Sequence, residues 1–216
     1  MMRKKIMLLA AMALVLGVMQ VNAQATFGLK AGLNVSNLTV KGEGIKVKYN
    51  SLPGLHIGVM ASLPISDNLS IDPALLYSGK GAKGDDNDEY VALYSNESYN
   101  INYLELPINI SYSFNLSSTD NIKPFVFAGP YLGLAFSGKY KSENTSEKFK
   151  IGNDKNTSDI KPVDYGANIG AGVKFSNFRI SAQYGIGMAN ILPGTSSTKM
   201  HNSTFGLSIG YTFGGE

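Results

Sequence analysis

The 216-residue chain contains no cysteine and no tryptophan, and only two histidines. Without cysteine there can be no disulfide, no thiolate metal site and no lipid anchor attached through a cysteine. Beyond residue 23 no apolar run approaches the ~20 residues that a membrane helix needs. Charge of either sign is scarce. Of the 19 basic residues, Arg3, Lys4 and Lys5 belong to the first few positions, and the remaining 16 equal the 16 acidic residues. A chain balanced in this way has no basic stripe for nucleic acid. The 24 glycines, 12 tyrosines and 10 phenylalanines are abundant by contrast, and no long helical stretch accompanies them. That composition points to many strands joined by turns.

The start of the chain has its own grammar. Arg3, Lys4 and Lys5 precede the apolar run Ile6 to Val18, and Val21-Asn22-Ala23 then offers small residues before Gln24. Basic, apolar, small is the order of a secretory signal peptide. Residues 1–23 are therefore expected to be a cleaved leader, and residues 24–216 a single domain.

Within that domain the dominant signal is period-two alternation. Phe27, Leu29, Ala31, Leu33 and Val35 alternate with Gly28, Lys30, Gly32 and Asn34. The pattern recurs over Leu55–Leu63, Leu69–Ser78, Leu104–Phe114, Asp164–Phe175, Phe178–Met188 and Phe205–Phe213. Successive strand side chains point to opposite faces, so each segment carries one apolar face and one small or polar face. Only residues 124–136 are ambiguous. There Val126, Ala128, Leu132, Leu134 and Phe136 share one parity while Phe125, Phe127 and Tyr131 hold the other, which a bulge or interior aromatic packing would explain.

Connections alternate in length: short near Pro64–Asn68, Asn115–Ile122 and Ser176–Asn177, long and polar near Asn37–Pro53, Lys80–Asn100, Ser137–Pro162 and Asn190–Asn202. Short periplasmic turns opposite longer outer loops are the habit of membrane barrels. Aromatics fall in two bands, with Phe27, Tyr112, Phe114, Phe175, Phe178, Tyr211 and Phe213 at one end and Tyr77, Phe136, Tyr165 and Phe205 at the other. Two such girdles suit two membrane–water interfaces. The expected fold is all-β: one antiparallel transmembrane β-barrel of about eight strands in an up-and-down meander.

Several segments resemble the PorT-like outer-membrane β-barrel family of Gram-negative bacteria. They are Tyr103-Leu-Glu-Leu-Pro-Ile108, Pro124-Phe-Val-Phe-Ala-Gly-Pro-Tyr131, Asp164–Phe175, Gln183–Ile191 and the opening Gly28–Asn34. The resemblance covers nearly all of residues 24–213. It implies an outer-membrane barrel without assigned chemistry, and it brings no catalytic residue. One departure is Gly214-Gly215-Glu216 after Phe213, where such strands commonly end on the aromatic itself.

Six charged residues are inward by parity: Lys30, Asp72, Glu105, Asp164, Lys174 and Arg179. An eight-stranded barrel is filled by side chains, and a charge there must be paired. An interior ion-pair network is expected, with Asp72 facing Arg179 and Lys174 across the barrel and Glu105 a weaker candidate that could face His56. Other constellations are thin. His201 near Ser203 would need an orienting carboxylate and an oxyanion hole. Asp85, Asp86, Asp88 and Glu89 lack the EF-hand glycine, and the glycine run 166–172 opens no helix. No metal or cofactor is expected. The surroundings expected are membrane lipid and lipopolysaccharide, with an extracellular partner for the loops, no nucleic acid and a monomeric state. The reading is a non-enzymatic barrel for binding or envelope support. The alternatives are a rim-site hydrolase or acyltransferase, or a small channel, although aqueous channels need about sixteen strands.

The exported protein is expected to begin at Gln24, which intact mass of the membrane fraction would show. Retention of Met1 to Ala23 would refute the leader.

Overall fold

The computed structural model describes residues 25–42, 45–84, 97–115, 122–142, 145–194 and 198–213. The leader and the acidic cluster Asp85, Asp86, Asp88 and Glu89 lie outside the described residues. Ten strands are present among them: β1 (Thr26–Gly42), β2 (Ile45–Lys48), β3 (Asn50–Pro64), β4 (Leu69–Lys83), β5 (Ser98–Ser113), β6 (Ile122–Lys141), β7 (Ser146–Lys148), β8 (Val163–Phe175), β9 (Phe178–Gly187) and β10 (Lys199–Phe213). Eight of them form a ring. Each pairs antiparallel with its neighbour in the order β1-β3-β4-β5-β6-β8-β9-β10, and β10 returns to β1 from Phe27↔Phe213 to Lys41↔Lys199. β2 and β7 are short additions to the outer ends of β1 and β6. The closed ring leaves none of these eight strands with an open edge, so each ladder satisfies the backbone groups that lipid cannot.

The burial pattern is inverted relative to a soluble protein. Large apolar residues at alternate positions face out, among them Leu33, Ile57, Ile110, Leu132, Ile169, Ile180 and Ile209, each exposed. The positions between them turn inward, where Asn34, Ser78, Asn109, Ser111, Asn168 and Thr204 are buried. Aromatic rings bound the outer belt. Phe178 and Tyr211 lie edge to face with centroids 5.1 Å apart, as do Tyr112 and Phe114, while Tyr77 and Phe136 meet at the opposite rim. From Phe205 to Phe213 along β10, about eight steps of ~3.4 Å at a tilt of ~40° span roughly 21 Å, close to the ~25 Å apolar band of such barrels.

Residues 124–136 are now resolved. Phe125, Phe127 and Tyr131 are buried inside, whereas Val126, Leu132 and Phe136 face out. Glycine makes this possible: across the β6–β8 ladder Phe125, Phe127 and Tyr131 stand opposite Gly172, Gly170 and Gly166. A Cβ at Gly172 would lie 2.8 Å from Phe125 Cζ, and one at Gly166 would lie 2.7 Å from Tyr131 Cε1. The glycine run of β8 is therefore the floor on which the β6 rings lie. The bulge also exists, but higher up. The β5–β6 register slips between Asn102↔Ser137 and Tyr103↔Ala135, so Gly133 and Gly138, of opposite parity, are both buried.

The long polar loops of the sequence reading prove shorter than expected. Asn37–Gly42, Lys80–Lys83, Ser98–Asn100 and Ser137–Lys141 are strand, because the sheet continues beyond the belt where both faces can carry polar residues. Inside this extension lies an apolar cluster of Leu38, Ala82, Ile101, Tyr103, Ile160, Ala189 and Ile191. Ile160 and Ile191 come from the connections after β7 and β9, and Lys161 N–H donates to Ile191 C=O at 2.8 Å. These two segments close the outer mouth of the cylinder with an apolar plug.

Depth should govern tolerance of charge. Ile108→Arg, midway along β5 between Leu104 beside Tyr77 and the lower-girdle Tyr112, should cost about 2–4 kcal/mol of folding stability in bilayers, and Met188→Arg, at the upper girdle beside Tyr165, no more than ~1 kcal/mol. Equilibrium unfolding of the reconstituted variants measures both; equal costs would contradict the belt.

Candidate functional site in the barrel interior

The inward charges separate into two clusters at different heights. In the lower one Arg179 Nη2 donates to Asp72 Oδ2 at 2.6 Å. The same carboxylate accepts from Ser62 Oγ at 2.6 Å and Ser111 Oγ at 2.5 Å. The neighbours follow from strand geometry: Arg179 opens β9, Asp72 lies near the start of β4, and Ser111 nears the end of β5. All three are close to the short-turn end. Phe125 lies beneath both cations, 4.7 Å from the Arg179 guanidinium carbon and 5.4 Å from Lys174 Nζ.

The upper cluster centres on Lys80. Its Nζ lies 2.6 Å from Glu105 Oε2 and 3.5 Å from Asp164 Oδ2, with the Tyr131 ring centroid 4.2 Å away. Asp164 Oδ2 also accepts from Asn202 Nδ2 at 3.0 Å and Tyr131 Oη at 3.3 Å. Asp164, Glu105 and Lys80 are 0%, 4% and 6% exposed. Lys80 was not among the expected inward charges, because the long polar connection was expected to begin there (Lys80–Asn100). The signal was available: Leu76, Ser78 and Lys80 continue the inward parity of Asp72.

Two cations of the expected network meet no counter-ion. Among the described residues no carboxylate comes within 4 Å of Lys174 or Lys30. Lys174 donates to Ser113 Oγ at 2.9 Å, and Lys30 donates to Gln183 Oε1 at 3.3 Å. Both remain partly exposed, so a neutral oxygen together with solvent access can serve where a dry site would demand a counter-ion. His56 does not meet Glu105 either, since Lys80 already holds that carboxylate. Its Nδ1–H donates to Asn34 Oδ1 at 2.8 Å, and its Nε2 accepts from Ser208 Oγ at 2.9 Å. Asn34 Nδ2 passes the chain on to Gly79 C=O.

The rim candidates remain separate from one another. Ser203 Oγ donates to Asn37 Oδ1 at 3.1 Å, and no hydrogen bond joins Ser203 to His201 among the described residues. Above the mouth, Glu97 accepts from the hydroxyls of Tyr99, at 2.7 Å, and Tyr140. Burial, reinforced by the Glu97 bond, raises the Tyr99 pKa, and the Glu97 bond itself raises that of Tyr140. These phenols stay protonated as donors across the physiological range. No group of three or more His, Cys, Asp and Glu suited to a metal occurs among the described residues.

The cylinder, its lipid-facing belt and its side-chain-filled axis meet a match at the level of sequence: the outer membrane protein beta-barrel domain aligns with residues 20–193. The chain belongs to that family. Among curated proteins none matches it. Solved structures similar to it include Neisserial surface protein A, with 13% identity over 88% of this chain and 99% of that one at a TM-score of 0.48. OprG of Pseudomonas aeruginosa is similar at 12%, 89% and 97%, with a TM-score of 0.46. The outer membrane enzyme PagL is similar at 14%, 82% and 98%, with a TM-score of 0.40.

Lys80→Met would strand two buried carboxylates. It should destabilise the folded barrel by about 3–5 kcal/mol, against less than ~0.5 kcal/mol for Lys155→Met in an exposed turn. The double variant Lys80→Met/Glu105→Gln should recover part of the loss. Comparable stability of Lys80→Met and wild type in a urea titration would refute the cluster's structural role.

Proposed function

We propose that the protein is a non-enzymatic, sealed outer-membrane barrel whose projecting strands present a surface outside the cell, in contact with a partner or with the envelope itself. The observation that carries this reading is the occluded axis. The apolar plug covers the mouth, and two charge clusters with interior aromatics fill the lumen. One interior cavity, about 40 Å³ between Asp72, Asn109, Phe127 and Arg179, has room for only a few waters. A second, about 10 Å³ beside His56 and Glu105, is smaller still. Neither is wide enough for a solute path. The ion pairs then act as struts that tie β4 to β9 below and β4, β5 and β8 above.

Strand motifs such as Tyr103–Ile108, Pro124–Tyr131 and Asp164–Phe175 favour the PorT-like members of the family, and the basic-apolar-small leader supports export with cleavage before Gln24. A rim-site hydrolase gains no support from Ser203, whose hydroxyl is given to Asn37.

Reconstitution tests the reading. The purified barrel in planar bilayers should give no discrete conductance steps and should release no fatty acid from lipid. Single-channel steps would contradict the sealed axis, and lipid hydrolysis lost in Ser203→Ala would restore the enzyme reading.

A further inference from the structure

The strands projecting beyond the belt carry lysine in an unusual register. On the outward face of β10–β1–β2, Lys41 stands directly opposite Lys199 on one side and Lys46 on the other, and Thr39 stands between His201 and Lys48. On the far side of the barrel, Lys139 is opposite Lys148, and Lys83 and Lys141 are both opposite Ser98. Cross-strand partners share a face, and like charges directly opposite destabilise a sheet. Three such lysine pairs, Lys41–Lys199, Lys41–Lys46 and Lys139–Lys148, therefore oppose folding unless something anionic lies against them. All eight lysines are exposed. Among the described residues no carboxylate lies within 4 Å of any of them; Glu147, opposite Tyr140, is on the other face of its strand.

Height identifies the anion. The rows of Thr39 and Lys139 lie about four residues above the upper aromatic residues Phe205 and Tyr77, and those of Lys41 and Lys83 about six. At ~3.4 Å per residue and a tilt of ~40°, this places both patches roughly 10 and 16 Å beyond the belt. Two patches on different sides of the cylinder at the same heights answer to something spread around it in a plane, as a lipid leaflet is. Phospholipid headgroups extend only about 5–7 Å beyond the hydrocarbon. The lysines stand higher, where a leaflet with sugar headgroups would carry its charge.

We propose that Lys41, Lys46, Lys48 and Lys199, together with Lys83, Lys139, Lys141 and Lys148, form two docking patches for phosphate groups on the sugars of outer-leaflet glycolipid. The inference rests on the outer-membrane placement and is independent of whether the axis is sealed. Each lysine near an anionic surface contributes on the order of 1 kcal/mol, so a patch of four gives retention that depends on salt.

The test uses the full barrel folded in zwitterionic detergent, titrated with purified lipopolysaccharide and with the same material dephosphorylated. Lys41→Gln/Lys46→Gln/Lys48→Gln/Lys199→Gln should weaken binding of the phosphorylated form at least ~10-fold. Lys83→Gln/Lys139→Gln/Lys141→Gln/Lys148→Gln should do the same, while Lys155→Gln/Lys161→Gln should stay within about twofold of wild type. Heat-modifiable gel mobility verifies that each variant is folded. Removing the opposed lysines should leave lipid-free stability unchanged or raised, which a variant that merely misfolds would not show. Equal binding of the dephosphorylated glycolipid, or unchanged binding by both quadruple variants, overturns the proposal. Tighter binding of soluble heparin than of lipopolysaccharide also overturns it, in favour of a soluble polyanion.

Discussion

Hydrocarbon offers a strand no partner for its N–H and C=O groups, and most of this molecule follows from that constraint. The polar backbone must be paired within the protein, so the sheet closes on itself from Phe27↔Phe213 upward. Closure with eight strands fixes a narrow lumen, and a narrow lumen must be filled with side chains. Any charge within it must then find its counter-charge inside the same cylinder. Arg179 with Asp72, and Lys80 with Glu105 and Asp164, are the result.

Filling that space is a problem of volume as well as charge. Phe125, Phe127 and Tyr131 fit inside only because β8 offers Gly172, Gly170 and Gly166 opposite them. The same rings then lie against the cations: Phe125 under Arg179 and Lys174, Tyr131 under Lys80. Desolvated cations over aromatic faces recover part of what burial costs them. Where water still reaches, as at Lys174 and Lys30, a neutral oxygen is enough. Above the belt the constraint relaxes, and the strands project freely enough to carry opposed lysines on their outer face.

The fold was legible because alternation is strong wherever one face meets lipid, as in Leu104 to Phe114. The pairing of Asp72 with Arg179 could be anticipated by counting from the short turns. Legibility failed where physics stops writing a pattern. Outside the bilayer both strand faces can be polar, so Asn37–Gly42 and Ser137–Lys141 looked like loop. Lys80 was hidden because flanking glycines imitate a turn. The plug residues Ile160 and Ile191 sit in otherwise polar segments, and their burial depends on a fold-back that no local period records. The parity of residues 124–136 could not be decided from β6 alone, since the deciding glycines lie on β8.

The absence of cysteine makes the central claim directly measurable, because single cysteines can be introduced along β5 and spin-labelled without background. In bilayers, labels at positions 104, 106, 108 and 110 should be accessible to oxygen and shielded from a water-soluble nickel chelate. Labels at 107 and 109 should be shielded from both, which is the signature of a filled interior behind a lipid-facing wall. Nickel access at the odd positions would mean an aqueous lumen, and nickel access at the even ones would mean that this face meets water and not lipid.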